Sequence, residues 1–169
     1  RYPDRAAIID GDDTISFASL DRQSDALALG LRAQGIGRGD QVAIWMTNCA
    51  QWVLCWMACA RLGAVIVPIN TRYKIEEVDY ILRQSDARAL ILMDRFWGID
   101  FLTMAQQIIP ELGQATDGAV HSGRLPALQR VIVWKDVAVA GLLRLGQISR
   151  AGEAMRANVR LPCGSTKRS

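Results

Sequence analysis

Residues 41–68 read QVAIWMTNCAQWVLCWMACARLGAVIVP, and this stretch decides the fold. It begins with an apolar segment over 41–46, which predicts a strand. The helical pattern that follows over 51–62 ends at Gly63, because glycine adopts the left-handed backbone of a helix end at little cost. A second short apolar strand follows over 64–67. A strand, a helix and a strand in this order predict a parallel pair joined by a crossover helix.

The same alternation continues on both sides of this unit. Asp10-Gly11 between two apolar runs predicts a hairpin over 6–17, which is followed by a helix capped by Ser16. Strands alternating with helices predict an α/β fold with a mostly parallel sheet and flanking helices. We expect an α/β portion over 1–135 and a weakly patterned, partly disordered C-terminal tail over 136–169. The remaining predicted elements are a helix over 75–85, a strand over 88–93, a helix over 99–109, a strand over 131–134 and a short helix over 137–145.

Length and composition fit one ordinary globular domain. The chain has 169 residues, of which 50% are hydrophobic and 22% charged, so collagen-like, disordered and coiled-coil classes are excluded. The longest apolar run, residues 52–60, is far shorter than the roughly 20 residues of a membrane span. We therefore interpret this run as a buried helix and expect Trp45, Trp52 and Trp56 in the core.

The net charge of +3 comes from the end of the chain. Residues 150–169 hold five Lys or Arg and one Glu, whereas the preceding 149 residues hold fifteen basic and sixteen acidic side chains. A body without basic excess lacks the footprint of a protein that binds a phosphate backbone. Nucleic acid is therefore not an expected partner.

The four cysteines are Cys49, Cys55, Cys59 and Cys163. Cys55 and Cys59 are one helical turn apart, so a pair of metal ligands is conceivable, but we favour small buried side chains and predict no metal site. Unpaired core cysteines are typical of a reducing compartment, and we expect a cytoplasmic protein. The only histidine, His121, lies in a polar segment and is interpreted as a surface loop residue.

Several segments resemble one enzyme family, in the order in which that family has them. RLGAVIVPINTRY over 61–73 resembles a signature of the AMP-forming acyl-CoA synthetases, of the adenylate-forming ligase superfamily. ISFASL over 15–20, GRGDQVAIWMTNCAQW over 37–52 and YILRQSDARALIL over 80–92 resemble the flanking segments. The resemblance covers about residues 1–135 and implies the N-terminal portion of the large ligase domain.

The resemblance implies chemistry in two steps. A carboxylic acid, expected to be a fatty acid, attacks ATP to give an acyl-adenylate, and coenzyme A then displaces AMP. ATP, Mg²⁺ and coenzyme A are therefore implied for the full-length enzyme, but the family's phosphate loop is not found in this chain. Gly164-Ser165-Thr166-Lys167 has similar letters without the order or the context of a phosphate loop. We expect no activity from the chain alone.

Four residues are candidates for the binding site. Asn70, Thr71 and Arg72 belong to the family signature, and the alternatives are a role near the substrate tunnel or a role in loop geometry. Arg95 follows a predicted strand, where related synthetases contact the coenzyme A nucleotide phosphate. Its alternative is a solvated loop arginine.

A second function class stays open. The chain would then be a non-catalytic α/β module whose exposed sheet edge pairs with another chain. In either case we expect self-association, because a parallel sheet normally needs both faces covered.

Overall fold

The computed structural model of the chain describes residues 2–116, 118–134 and 141–158. Its strands are β1 (Ala6–Asp10), β2 (Asp13–Ser16), β3 (Gln41–Trp45), β4 (Val65–Pro68), β5 (Ala89–Met93), β6 (Arg95–Phe96), β7 (Ile99–Asp100), β8 (Arg130–Trp134) and β9 (Leu143–Arg144). Its helices are α1 (Phe17–Ala33), α2 (Ala50–Leu62), α3 (Ile75–Gln84), α4 (Phe101–Ile108) and α5 (Leu145–Asn158), with a 3₁₀ helix over Pro110–Gln114.

Five strands form one parallel sheet in the order β4-β3-β5-β8-β9. The chain moves from β3 outward to β4 and then back past β3 to β5. Because such crossovers are right-handed, α2 and α3 lie on opposite faces of the sheet. The contacts agree, since α1 packs on α2 and α5, whereas α3 packs on α4. The predicted α/β fold with a mostly parallel sheet is confirmed.

The core runs along the two central strands. From Val42 to Trp45 in β3, and along all of β5, the residues are fully or almost fully buried. Continuous apolar strands of this kind are typical of parallel sheets that are covered on both faces. Trp45 is fully buried and packs edge-on against Phe101 of α4, with ring centroids 5.1 Å apart.

The hairpin β1–β2 fastens the start of α2. Gly11 in its turn has a φ of 60°, as the Asp-Gly pair predicts. The carboxylate of Asp10 accepts a hydrogen bond of 2.8 Å from the backbone N–H of Ala50, the first residue of α2. Thr47 and Asn48, just before α2, are of the residue types that cap helices well, but the N-cap is Cys49, which makes no side-chain cap bond. Asp10 satisfies the exposed donor from across the fold instead.

The chain beyond residue 141 differs from the sequence-based expectation. A helix ending at Leu145 was expected, but Leu143 and Arg144 pair with β8 and the helix α5 begins at Leu145. This helix packs closely on α1, because Gly30 and Gly152 let the two backbones approach. The division at residue 135 and the partly disordered tail stay predictions, and residues 135–140 and 159–169, including Cys163 and Gly164–Lys167, lie outside the described residues.

The outer face of α2 carries a second difference. Trp56 is 49% exposed and lies edge-on against the half-buried Trp52, with ring centroids 4.9 Å apart. The expectation of Trp56 in the core is wrong, because α2 is apolar all round and only one stripe, including Leu54 and Cys55, can face the sheet. Among the described residues, no helix is both long and apolar enough to cross a membrane.

Candidate functional site

A surface pocket opens where β3 and β4 end. It has a volume of about 400 Å³ and is lined by both polar and apolar side chains. In open parallel sheets, ligands bind beyond the carboxyl ends of the strands, at the point where the direction of the crossovers reverses. That reversal lies between β3 and β5, so the pocket, on the β4 side of β3, is next to it at the same edge of the sheet. Its lining residues are Met46, Thr47, Asn48, Trp52, Pro68, Ile69, Asn70 and Thr71.

The loop after β4 is held by its own hydrogen bonds. The Asn70 side-chain oxygen accepts a bond of 2.9 Å from the backbone N–H of Arg72, and the Asn70 carbonyl accepts one of 3.1 Å from Tyr73. The loop is tied to β3 because the N–H of Ile69 donates to the carbonyl of Ile44, at 2.9 Å. Asn70 therefore shapes the turn and also lines the pocket.

The structure brings together only part of the predicted set. Asn70 and Thr71 share the pocket with Thr47 and Asn48, whereas Arg72 is exposed and is not among the lining residues. Thr47 and Asn48 are not among the site residues predicted from the sequence. The available signal was their position directly after a buried strand, at the edge where ligands bind.

Arg95 lies on a separate small hairpin, formed by β6 and β7, which directly follows β5. This hairpin differs from the sequence-based prediction, in which Ile99 and Asp100 belong to the following helix. The Arg95 side chain is 69% exposed, and one guanidinium nitrogen donates to the Asp100 carboxylate at 2.6 Å. Arg95 does not line the pocket of the Asn70 loop.

Asp100 joins this hairpin to α4. Its carboxylate caps the helix by accepting a hydrogen bond of 2.8 Å from the backbone N–H of Thr103. This hydrogen bond is the main reason that the pKa of Asp100 is lowered. The adjacent Arg95 lowers the pKa further, whereas partial burial acts in the opposite direction. The first two backbone N–H groups of α4 donate to the Asp94 carbonyl. This helix start is therefore capped by the protein itself.

The described cysteines and the histidine are not among the residues that line this pocket. Burial raises the pKa of the Cys59 thiol to about 12 and that of the Cys55 thiol well above its usual value, so both are poor nucleophiles and poor metal ligands. His121 is exposed on the loop before β8. Within the described ranges, no three His, Cys, Asp or Glu residues are grouped so as to hold a metal ion. The pocket offers amide and hydroxyl groups, which suit binding rather than bond breaking.

Comparisons with known proteins agree on one family. The family model described as "AMP-binding enzyme" matches residues 1–141. The Bacillus subtilis (strain 168) protein named "Putative acyl-CoA synthetase YngI" is 41% identical over 143 residues, which are 83% of this chain and 26% of that protein. The Danio rerio "Medium-chain acyl-CoA ligase ACSF2, mitochondrial" is 35% identical over 156 residues, which are 91% of this chain and 26% of the relative.

A solved structure gives the same result. The anthranilate CoA ligase AuaEII, in complex with anthranoyl-AMP, superposes with a TM-score of 0.74 and 26% sequence identity. The superposition covers 88% of this chain and 25% of the ligase. The chain thus spans about a quarter of the length of these relatives.

Proposed function

The chain belongs to the AMP-binding enzyme family, and we propose that it is the N-terminal part of an acyl-CoA synthetase that activates a fatty acid. In the first step of this reaction, a carboxylate oxygen bonds to the α-phosphorus of ATP and pyrophosphate leaves. In the second step, the coenzyme A sulfur bonds to the acyl carbon of the adenylate and AMP leaves. The observation that carries the proposal is the family match over residues 1–141.

The residues described in this chain suit binding and positioning. Thr47, Asn48, Asn70 and Thr71 line the pocket at the carboxyl edge of the sheet. We assign the Asn70-Thr71-Arg72 loop to the wall of the acyl substrate path, where the Asn70 side chain holds the turn rigid. A rigid loop fixes the orientation of a bound substrate at little entropic cost.

Arg95 is assigned to a phosphate of the coenzyme A nucleotide. Its side chain is 69% exposed, and of its five N–H donors the structure engages those of one nitrogen with Asp100. The remaining donors face no described acceptor, and an arginine fork fits a phosphate well. Because Asp100 is charged and adjacent, it weakens the attraction of Arg95 for an anion. Arg95 alone therefore supplies modest affinity.

Mg²⁺ and the triphosphate of ATP would be held outside the described part of this chain. The described residues contain no group of three or more metal-ligating side chains, and Gly164–Lys167 lies beyond them. Magnesium, when bound, supplies positive charge to the transferring phosphate. We accordingly expect no acyl-adenylate from this chain by itself. Exchange of labelled pyrophosphate into ATP with octanoate measures this, with zebrafish ACSF2 as the positive control.

The proposal is tested positively by a graft. This chain replaces the segment of zebrafish ACSF2 that it matches over 156 residues, and acyl-CoA formation from octanoate is measured. We expect the graft to form octanoyl-CoA. A matched graft that carries Gly146→Ala, where an added Cβ meets only the Arg150 side chain, should fold and react like the unsubstituted graft. A folded graft without acyl-CoA formation contradicts the proposal.

The proposal extends to the compartment and the oligomeric state of the chain. Cys55 and Cys59 are free thiols, which fits a reducing compartment, and we place the protein in the cytoplasm. Trp56 and Val65 are each about half exposed on α2 and β4, so we expect the isolated chain to self-associate. Light scattering at two concentrations tests this expectation. The binding-module alternative would use the edge strand β4.

A further inference from the structure

The hairpin of β6 and β7 carries an unusual residue at its tip. Its two turn residues are Trp97, with a φ of 44°, and Gly98, with a φ of 77°. Two positive φ values are required by the type I′ turn, whose first position is normally Asn, Asp or Gly. A bulky side chain is strained there, because its Cβ meets the backbone. The sequence therefore carries a conformational cost at Trp97.

Burial of the indole does not offset this strain. Trp97 is 91% exposed, the largest exposure among the large hydrophobic side chains described. Its contact is with its neighbour Phe96, since the two rings stack with an interplanar angle of 12° and centroids 5.2 Å apart. The stack leaves a flat aromatic surface open to solvent. Strain held at an exposed position indicates a role in binding.

Arg95 lies on the same hairpin, two residues before Trp97. An exposed aromatic ring and a guanidinium on one small hairpin match the two parts of a nucleotide, because a base stacks on an aromatic ring and a phosphate accepts from arginine. The hairpin also follows β5 at the carboxyl edge of the sheet, where nucleotides bind in such folds.

We propose that Trp97 is the stacking surface for the purine base of the nucleotide whose phosphate Arg95 contacts. This rests on the proposed function, which makes that nucleotide the adenosine 3′,5′-bisphosphate part of coenzyme A. Because Asp100 partly neutralises Arg95, the Trp97 ring carries most of the affinity of the hairpin for the nucleotide. Arg95 sets the orientation of the nucleotide by contacting its phosphate.

The test uses the whole chain, labelled with ¹⁵N, and adenosine 3′,5′-bisphosphate as the probe. The chain has five tryptophans, whose indole N–H signals are assigned with Trp→Phe variants. We expect the Trp97 signal to move on titration, with a millimolar Kd. No movement of this signal up to ~10 mM, a concentration tenfold above a millimolar Kd, overturns the proposal. Movement with ATP but not with the bisphosphate overturns the assignment to coenzyme A.

Variants separate binding from folding. Trp97→Asn suits the turn, so its melting temperature should equal or exceed that of the wild type. Its Kd, followed at the backbone N–H signal of Gly98 because the indole is gone, should rise at least fivefold, the lower end for loss of one stacked base. Trp97→Phe keeps a ring and should stay within threefold. Trp56→Ala removes a half-exposed tryptophan from α2 and should leave the Kd unchanged.

Two results would overturn the stacking role. One is a Kd for Trp97→Asn that rises less than fivefold, and the other is an equal rise for Trp56→Ala. If Arg95→Ala alone weakens binding, the stacking role is wrong and the phosphate contact stands. The ACSF2 graft tests the proposed function separately, because it measures formation of acyl-CoA and not binding at this hairpin.

Discussion

The contact between α1 and α5 depends on two glycines, and Gly152→Ala tests it. A Cβ at position 152 would lie 1.7 Å from the carbonyl oxygen of Ala26 and 2.9 Å from the backbone nitrogen of Gly30. These are backbone atoms, so no change of rotamer relieves the overlap. The helices must separate by more than an ångström, and α5 is then drawn away from the core.

The magnitude follows from what the separation would lose. Leu145 and Ile148 of α5 are 0% and 2% exposed. Overpacking typically costs ~1–3 kcal/mol, and exposing one such side chain costs ~1.5–3 kcal/mol. Alanine offsets about 1 kcal/mol through its helix propensity. We therefore expect a loss of roughly 2–4 kcal/mol, which lowers the melting temperature by about 4–16 °C at this chain length.

Gly146→Ala is the matched control on the same helix. Its added Cβ would meet only the Arg150 side chain, at 3.7 Å, so the substitution should stabilise the chain by up to ~1 kcal/mol. Both melting temperatures are measured from the loss of the helical circular dichroism signal on heating. If Gly152→Ala melts within about 1 °C of the wild type, the close packing of α5 on α1 is wrong.

Two capping aspartates give further predictions. Asp100→Ala should cost about 1 kcal/mol at neutral pH. Because the folded-state pKa of Asp100 is lowered, its contribution is fully present above the ordinary value of 3.8 and should disappear as the pH falls below it, which urea unfolding at several pH values measures. Asp10→Ala removes the hydrogen bond to α2 and should also cost about 1 kcal/mol. Asp12→Ala, an exposed neighbour in the turn, should change stability by less than ~0.5 kcal/mol, and equal effects of the two would contradict the capping role.

The elements that sequence predicts well are those with local signals. The apolar run of β3, Gly63 at the end of α2 and Ser16 at the start of α1 each act within a few residues, and the structure has all three. The parallel sheet follows because these elements alternate. Asn70 is found in the pocket because its loop directly follows a strand.

The features that sequence misses depend on distant or atypical contacts. The helix α5 has a polar surface, and its position depends on the close approach of Gly152 to Gly30. These two glycines are far apart in the chain, so no local pattern reveals their contact. The cap of α2 comes from Asp10, forty residues away. The hairpin of β6 and β7 lacks an Asn-Gly pair and turns at Trp97 instead.

The central claim is that this chain supplies the N-terminal quarter of an acyl-CoA synthetase. The most direct measurement is of both half-reactions in the zebrafish ACSF2 graft, namely pyrophosphate exchange with octanoate and release of AMP on addition of coenzyme A. We expect the graft to perform both, with ACSF2 itself as the positive control in the same assay. A graft that folds with the melting behaviour of ACSF2 and performs neither half-reaction would contradict the claim.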